Sequence, residues 1–411
     1  MTALPEAGAR VPASDDVFVE ECREFLAQFP PRAAVSGAFK WGEGTDQVPI
    51  FEEEDREVEA AQIVEVRRWR RQLWDAGLGW ITGPVEYGGR GLSSRHQQIF
   101  DTMSRQHDVP GNGKLTVSLG MVAPTILAHA EEPARQRYLP ALHDGTLIAC
   151  QLFSEPDAGS DLASVSMRAV RDGDGWRLTG SKVWTSCAHY SDIGEVMCST
   201  GGDAGRHRNL TMFLVDMNAP GVTVRPLRQM TGGAAFNEVH FDDVYVADDH
   251  RMGDVGDGWR VALTTLSNER KAIGGDGFGG VGLLSAERYQ QMVVALGCAD
   301  DPVVRQELAD LLIHLRVAKL NRLRSAATQR AGGPPGPEAS IGKLELSMNY
   351  QRIAAFVGQI LGPRLIADSA EWGTYAWAPF VLGAPGMRIG GGTDEVMRNV
   401  LAERVLGLPK N

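Results

Sequence analysis

The feature that most constrains this chain is a double switch in the spacing of its apolar residues. From Val17 to about Ala149 they recur at three- and four-residue steps, the period of a helix packed on one face. Near Leu147 the rhythm shortens to that of strands, and after Gly258 the helical period returns and persists. One β module between two helical regions is therefore expected, with domains at 1–149, 150–250 and 251–411. The length of 411 residues and 43% hydrophobic content suffice for extensive cores.

Local signals place the elements. Ile63, Val66, Trp69 and Leu73 mark one helix face, with arginines expected on the other and Gly77 as its stop. WITGPVEYGGRGL reads as a loop, followed by helices near 97–106 and 115–129. MRAVR, the turn DGDG and WRLTGSKVWTS read as a β-hairpin, because Asp-Gly accepts the positive φ of tight turns. LTMFLVDM, VTVRPL and FNEVHFDDVYV supply further strands. Four helical segments follow, and AGGPPGPEA (331–339) is the clearest connector.

Charge and cysteine usage narrow the setting. A formal charge of -11 and a pI of about 5.4 leave no basic field for nucleic acid or an anionic bilayer, so a phosphate-bearing ligand has to be gripped locally. Five scattered cysteines without a CxxC or CxxH pair argue against a disulfide framework and a zinc site. No secretory signal, transit peptide or membrane-spanning stretch is visible in the sequence. A soluble, cytoplasmic protein is expected.

Four elements carry candidate chemistry. SEPDAGSD (154–161) combines small residues with the Ser154 and Ser160 hydroxyls and could cradle a pyrophosphate; taken alone, a connecting turn is the plainer reading. Trp184, Thr185 and Ser186 close a strand, where a buried indole beside two hydroxyls could flank an aromatic cofactor or simply fill a core. Glu269 stands seven residues beyond Ala262 on a helix that also holds Leu266 and Ile273, so it projects from the apolar face. Desolvation raises a carboxylate's pKa, the tuning used by a base for carbon acids, whereas an ion pair with Arg270 is the plainer reading. In IGGGTDEVMRN (389–399), three glycines precede Thr393, a good N-cap, with Asp394 and Glu395 in the first turn.

Other patterns fail on context. GGDGFGGVG (274–282) contains overlapping GxGxxG matches but follows a helix, whereas a dinucleotide fold needs strand, turn, helix. No histidine pattern suggests a metal, and no GxSxG elbow or Walker A loop occurs.

Taken in order, EYGGRGL, QLFSEPDAGSDLA, DGDGWRLTGSKVWTS, FNEVHFDDVYV, LSNER and GGTDEVMRNVLAERVLG resemble the acyl-CoA dehydrogenases over nearly the whole chain. The resemblance implies an α+β multidomain fold: an N-terminal helical domain, a central β-barrel-like domain and a C-terminal four-helix bundle. It implies FAD as cofactor, with contacts at Gln151, Phe153, Ser154, Gly159, Ser160, Trp184, Thr185, Ser186, Gln359, Thr393 and Glu395. Ser160, Asn268, Arg270, Gly391 and Gly392 match positions that meet the acyl-CoA. The family's catalytic carboxylate occupies one of two places. Here one is Gly391, which cannot remove a proton, and the other is Glu269.

By resemblance, Glu269 takes the α-proton of the thioester while the β-hydrogen leaves as hydride to flavin N5, yielding a trans-2-enoyl-CoA. An electron-transferring flavoprotein is the expected acceptor, and a homo- or heterotetramer the expected assembly. Two departures stand out: VVALGCADDPVVRQ lacks the family's Arg-x-x-Phe-Gly segment, and its Gln-x-x-Gly-Gly loop survives only as Gln359-Ile360-Leu361-Gly362-Pro363. Arg305 could compensate, or FAD could be shared with an unlike subunit. A flavin oxidase or monooxygenase on the same scaffold, or a non-catalytic subunit of a heteromeric dehydrogenase, remain the alternatives.

Overall fold

The structure is a computed structural model that describes residues 14–32, 39–51, 55–201, 205–273, 283–330 and 339–410. The glycine-rich segment 274–282 and the connector 331–338 lie outside the described residues. The chain divides into two units, each with its own core. One comprises Met1–Ser36, Glu54–Pro226 and Phe236–Thr265, the other Gly37–Glu53, Leu227–Ala235 and Leu266–Asn411.

In the first unit, α1 (Asp15–Leu26), α2 (Arg56–Asp75) and α3 (Ser94–Ser104) bury Phe18, Cys22, Leu26, Trp69, Leu73 and Phe100 together. Helix α2 starts where the Asp55 carboxylate accepts from the Glu57 N–H at 2.8 Å. It stops at Gly77, whose φ of 71° lets the Leu78 N–H turn back to the Leu73 carbonyl. The expected helix over 115–129 is broken into a turn at 113–115, a π-helical turn at 118–122 and α4 (Ala123–His129), followed by α5 (Glu132–His143).

The arginines of α2 do not all face solvent. Arg70 is 4% exposed, and its guanidinium donates to the His143 and Gly79 carbonyls. Burial lowers its pKa to about 10, against the raising influence of Asp144, so it stays charged at neutral pH. The planar fork satisfies several carbonyls that no apolar side chain could serve, and that outweighs the apolar period at this position.

An eight-stranded sheet forms the rest of this unit, in the order β6-β7-β3-β2-β4-β5-β8 with β1 beside β4. Its strands are β1 (Ala149–Leu152), β2 (Arg168–Asp172), β3 (Gly175–Ser186), β4 (Ile193–Ser199), β5 (Leu210–Asp216), β6 (Val222–Leu227), β7 (Phe236–Ala247) and β8 (Arg251–Met252). The expected hairpin is β2–β3, with Asp172 opposite Gly175 and Gly173 at φ 59°. Strands β4 and β5 are buried almost throughout, matching their unbroken apolar runs, and Leu152, Leu178, Val196, Phe213 and Phe241 share one core.

Helix α6 (Gly258–Ile273) leads into the second unit, where α7 (Ala286–Ala295), α8 (Pro302–Arg330), α9 (Ala339–Leu361) and α10 (Ala378–Gly383) pack around Tyr289, Leu311, Leu315, Tyr350, Ile353 and Phe380. Helix α11 (Asp394–Val400) packs on α9. Among the described residues no helix is long and apolar enough to cross a membrane.

Replacing Arg70 with alanine leaves buried carbonyls without a donor and is expected to lower stability by about 3 kcal/mol in urea unfolding. Arg68→Ala, which removes only an exposed pair with Glu65, should leave the midpoint unchanged.

Candidate active site

The segment 154–161 and the end of β3 are brought together by the backbone, since the Val183 N–H donates to the Ser154 carbonyl at 2.9 Å. Beneath them lies a charge pair that the sequence reading did not single out. Lys182 is fully buried, and its ammonium donates to the Glu155 carboxylate at 2.8 Å and to the Phe153 carbonyl at 3.0 Å. Glu155 also accepts from the Ser166 N–H and hydroxyl and from the Met167 N–H, at 2.6, 2.8 and 3.0 Å. Burial pushes the Glu155 pKa up, but the Lys182 ammonium and these donors outweigh it and hold the carboxyl below its ordinary value. The loop is thus pinned at its base while Gly159 and Ser160 are exposed above; Gln151 and Ser154 are half-buried and Phe153 is buried.

Trp184 corrects the expectation of a buried indole, for it is 57% exposed. The ladder between β3 and β7 shifts register between Lys182 and Thr185, and Trp184 takes a φ of 62°. This bulge turns the indole outward, edge-on to Phe236, and sends Thr185 inward to 2% exposure, with Ser186 half-buried. The Thr185 Oγ1 atom has no hydrogen-bond partner among the described residues.

On α6, Ala262 and Thr265 are fully buried, and Thr265 Oγ1 donates to the buried Glu195 at 2.7 Å. Glu269 follows Thr265 by four residues on the same stripe and is half-buried, as are Leu266 and Asn268. The side chains of Arg270 and Ile273 lie outside the described residues.

In the second unit Gly391 and Gly392 have φ of 71° and 89°, consecutive left-handed residues that glycine adopts without strain. Thr393 caps α11 as expected, its hydroxyl accepting from the Val396 N–H at 3.2 Å. Glu395 is exposed, but Asp394 is 1% exposed and is held by Ser347 Oγ, the buried Lys343 ammonium at 3.3 Å and Arg388 at 3.1 Å. Gln359 is exposed and stands apart, twelve residues or about 18 Å along α9 from Ser347. Arg305 borders an open groove of about 860 Å³ between α7 and α8, together with Gln290, Asp300 and Gln306.

Glu155, Lys182 and Asp394 sat inside the quoted motifs, yet their charges made them look solvated. Only Lys182 carried a local signal, the buried Val183 beside it; the neighbours of Glu155 and Asp394 are exposed or half-buried.

Known proteins resemble this chain along most of its length. Family models described as the acyl-CoA dehydrogenase N-terminal, middle and C-terminal domains match residues 46–146, 150–244 and 256–406. The acyl-CoA dehydrogenase IpdE1 of Mycobacterium tuberculosis is 37% identical over 363 residues, which is 86% of this chain and 90% of that protein. The acyl-CoA dehydrogenase FadE34 of the same organism is also 37% identical over 85% of this chain, which spans only 48% of its length. A solved structure titled Tcur3481-Tcur3483 steroid ACAD superposes with a TM-score of 0.71 at 23% identity, covering 98% of this chain and 100% of that one.

Because Glu155 is depressed in the folded state, its stabilisation is complete above the ordinary carboxylate value of 4.5 and is lost as pH falls through the lower folded value. Urea midpoints measured from pH 7 to pH 3 should drop on the acid side, and Glu155→Gln should be less stable at pH 7 with a shallower acid limb.

Proposed function

The chain belongs to the acyl-CoA dehydrogenase family, FAD-dependent oxidoreductases acting on the CH–CH bond of an acyl-CoA, and from that premise we propose that Glu269 is its base. The observation that carries the assignment is the stripe of α6. Glu269 continues the line of Ala262 and Thr265 and is half-buried, while position 391 offers a left-handed glycine with no carboxylate. Glu269 removes the proton on the carbon next to the thioester carbonyl. Asn268 and Arg270 flank it on the same helix, and Ser160, Gly391 and Gly392 meet the acyl-CoA. A backbone N–H near Gly391 holds the charge that develops on the thioester oxygen.

The residues assigned to FAD fit such a group. The exposed Trp184 indole offers a flat apolar face, Gly159 has open space beside its Cα, and Thr185 Oγ1 is a buried polar atom in need of a partner. Gln151, Phe153, Ser154, Gly159 and Ser160 would line the cofactor on one side of β3, and Trp184, Thr185 and Ser186 at its end. Thr393, Glu395 and Gln359 are the remaining positions assigned to FAD. When bound, FAD accepts the hydride from the β-carbon.

We further propose domains at 1–149, 150–250 and 251–411, a tetramer, a cytoplasmic setting and an electron-transferring flavoprotein as acceptor. Exposed Ile313, Val317 and Leu320, spaced four and three residues apart on α8, support an assembled state, and five free cysteines support a reducing compartment. The missing Arg-x-x-Phe-Gly segment favours a second reading in which an unlike subunit completes the FAD site. A chain that purifies colourless and gains flavin only with a co-expressed partner would establish it.

Glu269→Gln is expected to keep the flavin absorbance while lowering dye-coupled turnover by roughly three orders of magnitude or more. A variant that retains most of the activity overturns the assignment. Bleaching of the flavin band by a panel of acyl-CoAs identifies the substrate, and slow oxygen uptake separates a dehydrogenase from an oxidase.

A further inference from the structure

Two of the four non-glycine residues with positive φ among the described residues, Trp184 (62°) and Cys187 (67°), bracket Thr185 and Ser186. Bulky residues avoid this region and keep it only where their surroundings over-determine the backbone. On the upstream side that constraint is the Lys182–Glu155 pair. Downstream it is a chain of three side chains. Asn237, fully buried on β7 opposite Thr185, donates from Nδ2 to the Thr185 carbonyl at 3.0 Å. The same nitrogen lies 3.2 Å from His189 Nδ1, and His189 Nε2 lies 2.6 Å from Glu59 Oε2.

The hydrogen-bond roles along this chain are forced. The Thr185 carbonyl can only accept, so the Asn237 atom facing it is the amide nitrogen. Its second hydrogen points to His189 Nδ1, which must then accept, leaving the imidazole neutral with its proton on Nε2 toward Glu59. A second proton on His189 would set two donors against each other. Turning the Asn237 amide to relieve them would set two acceptors together at Thr185.

We propose that Glu59, His189 and Asn237 form a positioning relay that fixes the Thr185–Ser186 peptide and makes its grip on FAD depend on the protonation of His189; the inference rests on the reading that residues 184–186 meet the flavin. The charged groups facing the imidazole are Glu59 and Arg56 from α2 and Lys114 from the turn at 113–115, while Tyr190 contributes a neutral ring edge. Burial lowers the His189 pKa below its ordinary 6.5, with Glu59 opposing and Arg56 and Lys114 adding to the fall. The relay is therefore intact at neutral pH and is lost as pH falls through the folded value.

The test measures FAD dissociation and the visible flavin spectrum of the flavin-loaded protein in steps from pH 7.5 down to pH 4.0, for wild type, His189→Gln, His189→Phe and Trp184→Ala. Wild type should release FAD more readily as pH falls through the folded value of His189, by up to roughly tenfold, the loss of about one hydrogen bond. His189→Gln keeps an acceptor for Asn237 but cannot titrate, so it should bind like wild type at pH 7.5 and be much less sensitive to pH. His189→Phe should bind roughly tenfold more weakly already at pH 7.5, with an altered spectrum. Wild-type behaviour of His189→Phe, or a wild-type pH response in His189→Gln, overturns the relay; should His189→Phe not fold by circular dichroism, the His189→Gln response decides alone. Trp184→Ala separates the two layers. If it changes affinity or spectrum while the His189 variants do not, only the relay falls, and if it changes neither, the flavin assignment falls with it.

Discussion

An ammonium group withdrawn from water needs a carboxylate beside it, and the described residues meet that requirement twice. Lys182 finds Glu155, and Lys343 finds Asp394. Such pairs add little net stability over an apolar core, but removing one partner strands the other, so their geometry tolerates few alternatives. What they fix is telling. The first pair ties the base of 154–161 to the end of β3, and the second ties the start of α11 to α9. The exposed residues of each segment are free to face a ligand because the residues beneath are committed elsewhere.

The fold was legible because period and turn chemistry agreed. Apolar spacing in α2, the Asp-Gly turn of β2–β3, and the Thr393 cap each act over a few residues, and the structure shows them where those local rules put them. The order of motifs pointed to one family, and the family models match along nearly the same stretches.

What escaped the sequence is what depends on distant partners. Glu155 and Lys182 are 27 residues apart, and Lys343 and Asp394 are 51 apart, so neither pair leaves a short-range trace. Arg70 looked like one more surface arginine in a run of them, yet the carbonyl it serves is 73 residues away at His143. Trp184 was misplaced for a different reason. Strand alternation assumes a regular ladder, and the register shift before Thr185 reverses the faces for one residue. The partners in the His189 chain come from α2 and β7, far apart in sequence, and so were likewise invisible.

The left-handed turn at Gly391 bears on where an acid is cheaply held. A backbone at φ 71° followed by one at 89° admits an ordinary side chain only with strain. An acid placed there would hold the left-handed conformation at a cost of roughly 1–2 kcal/mol. A carboxylate on the regular backbone of α6 carries no such penalty, so the proposed base at 269 leaves position 391 to serve the bend alone.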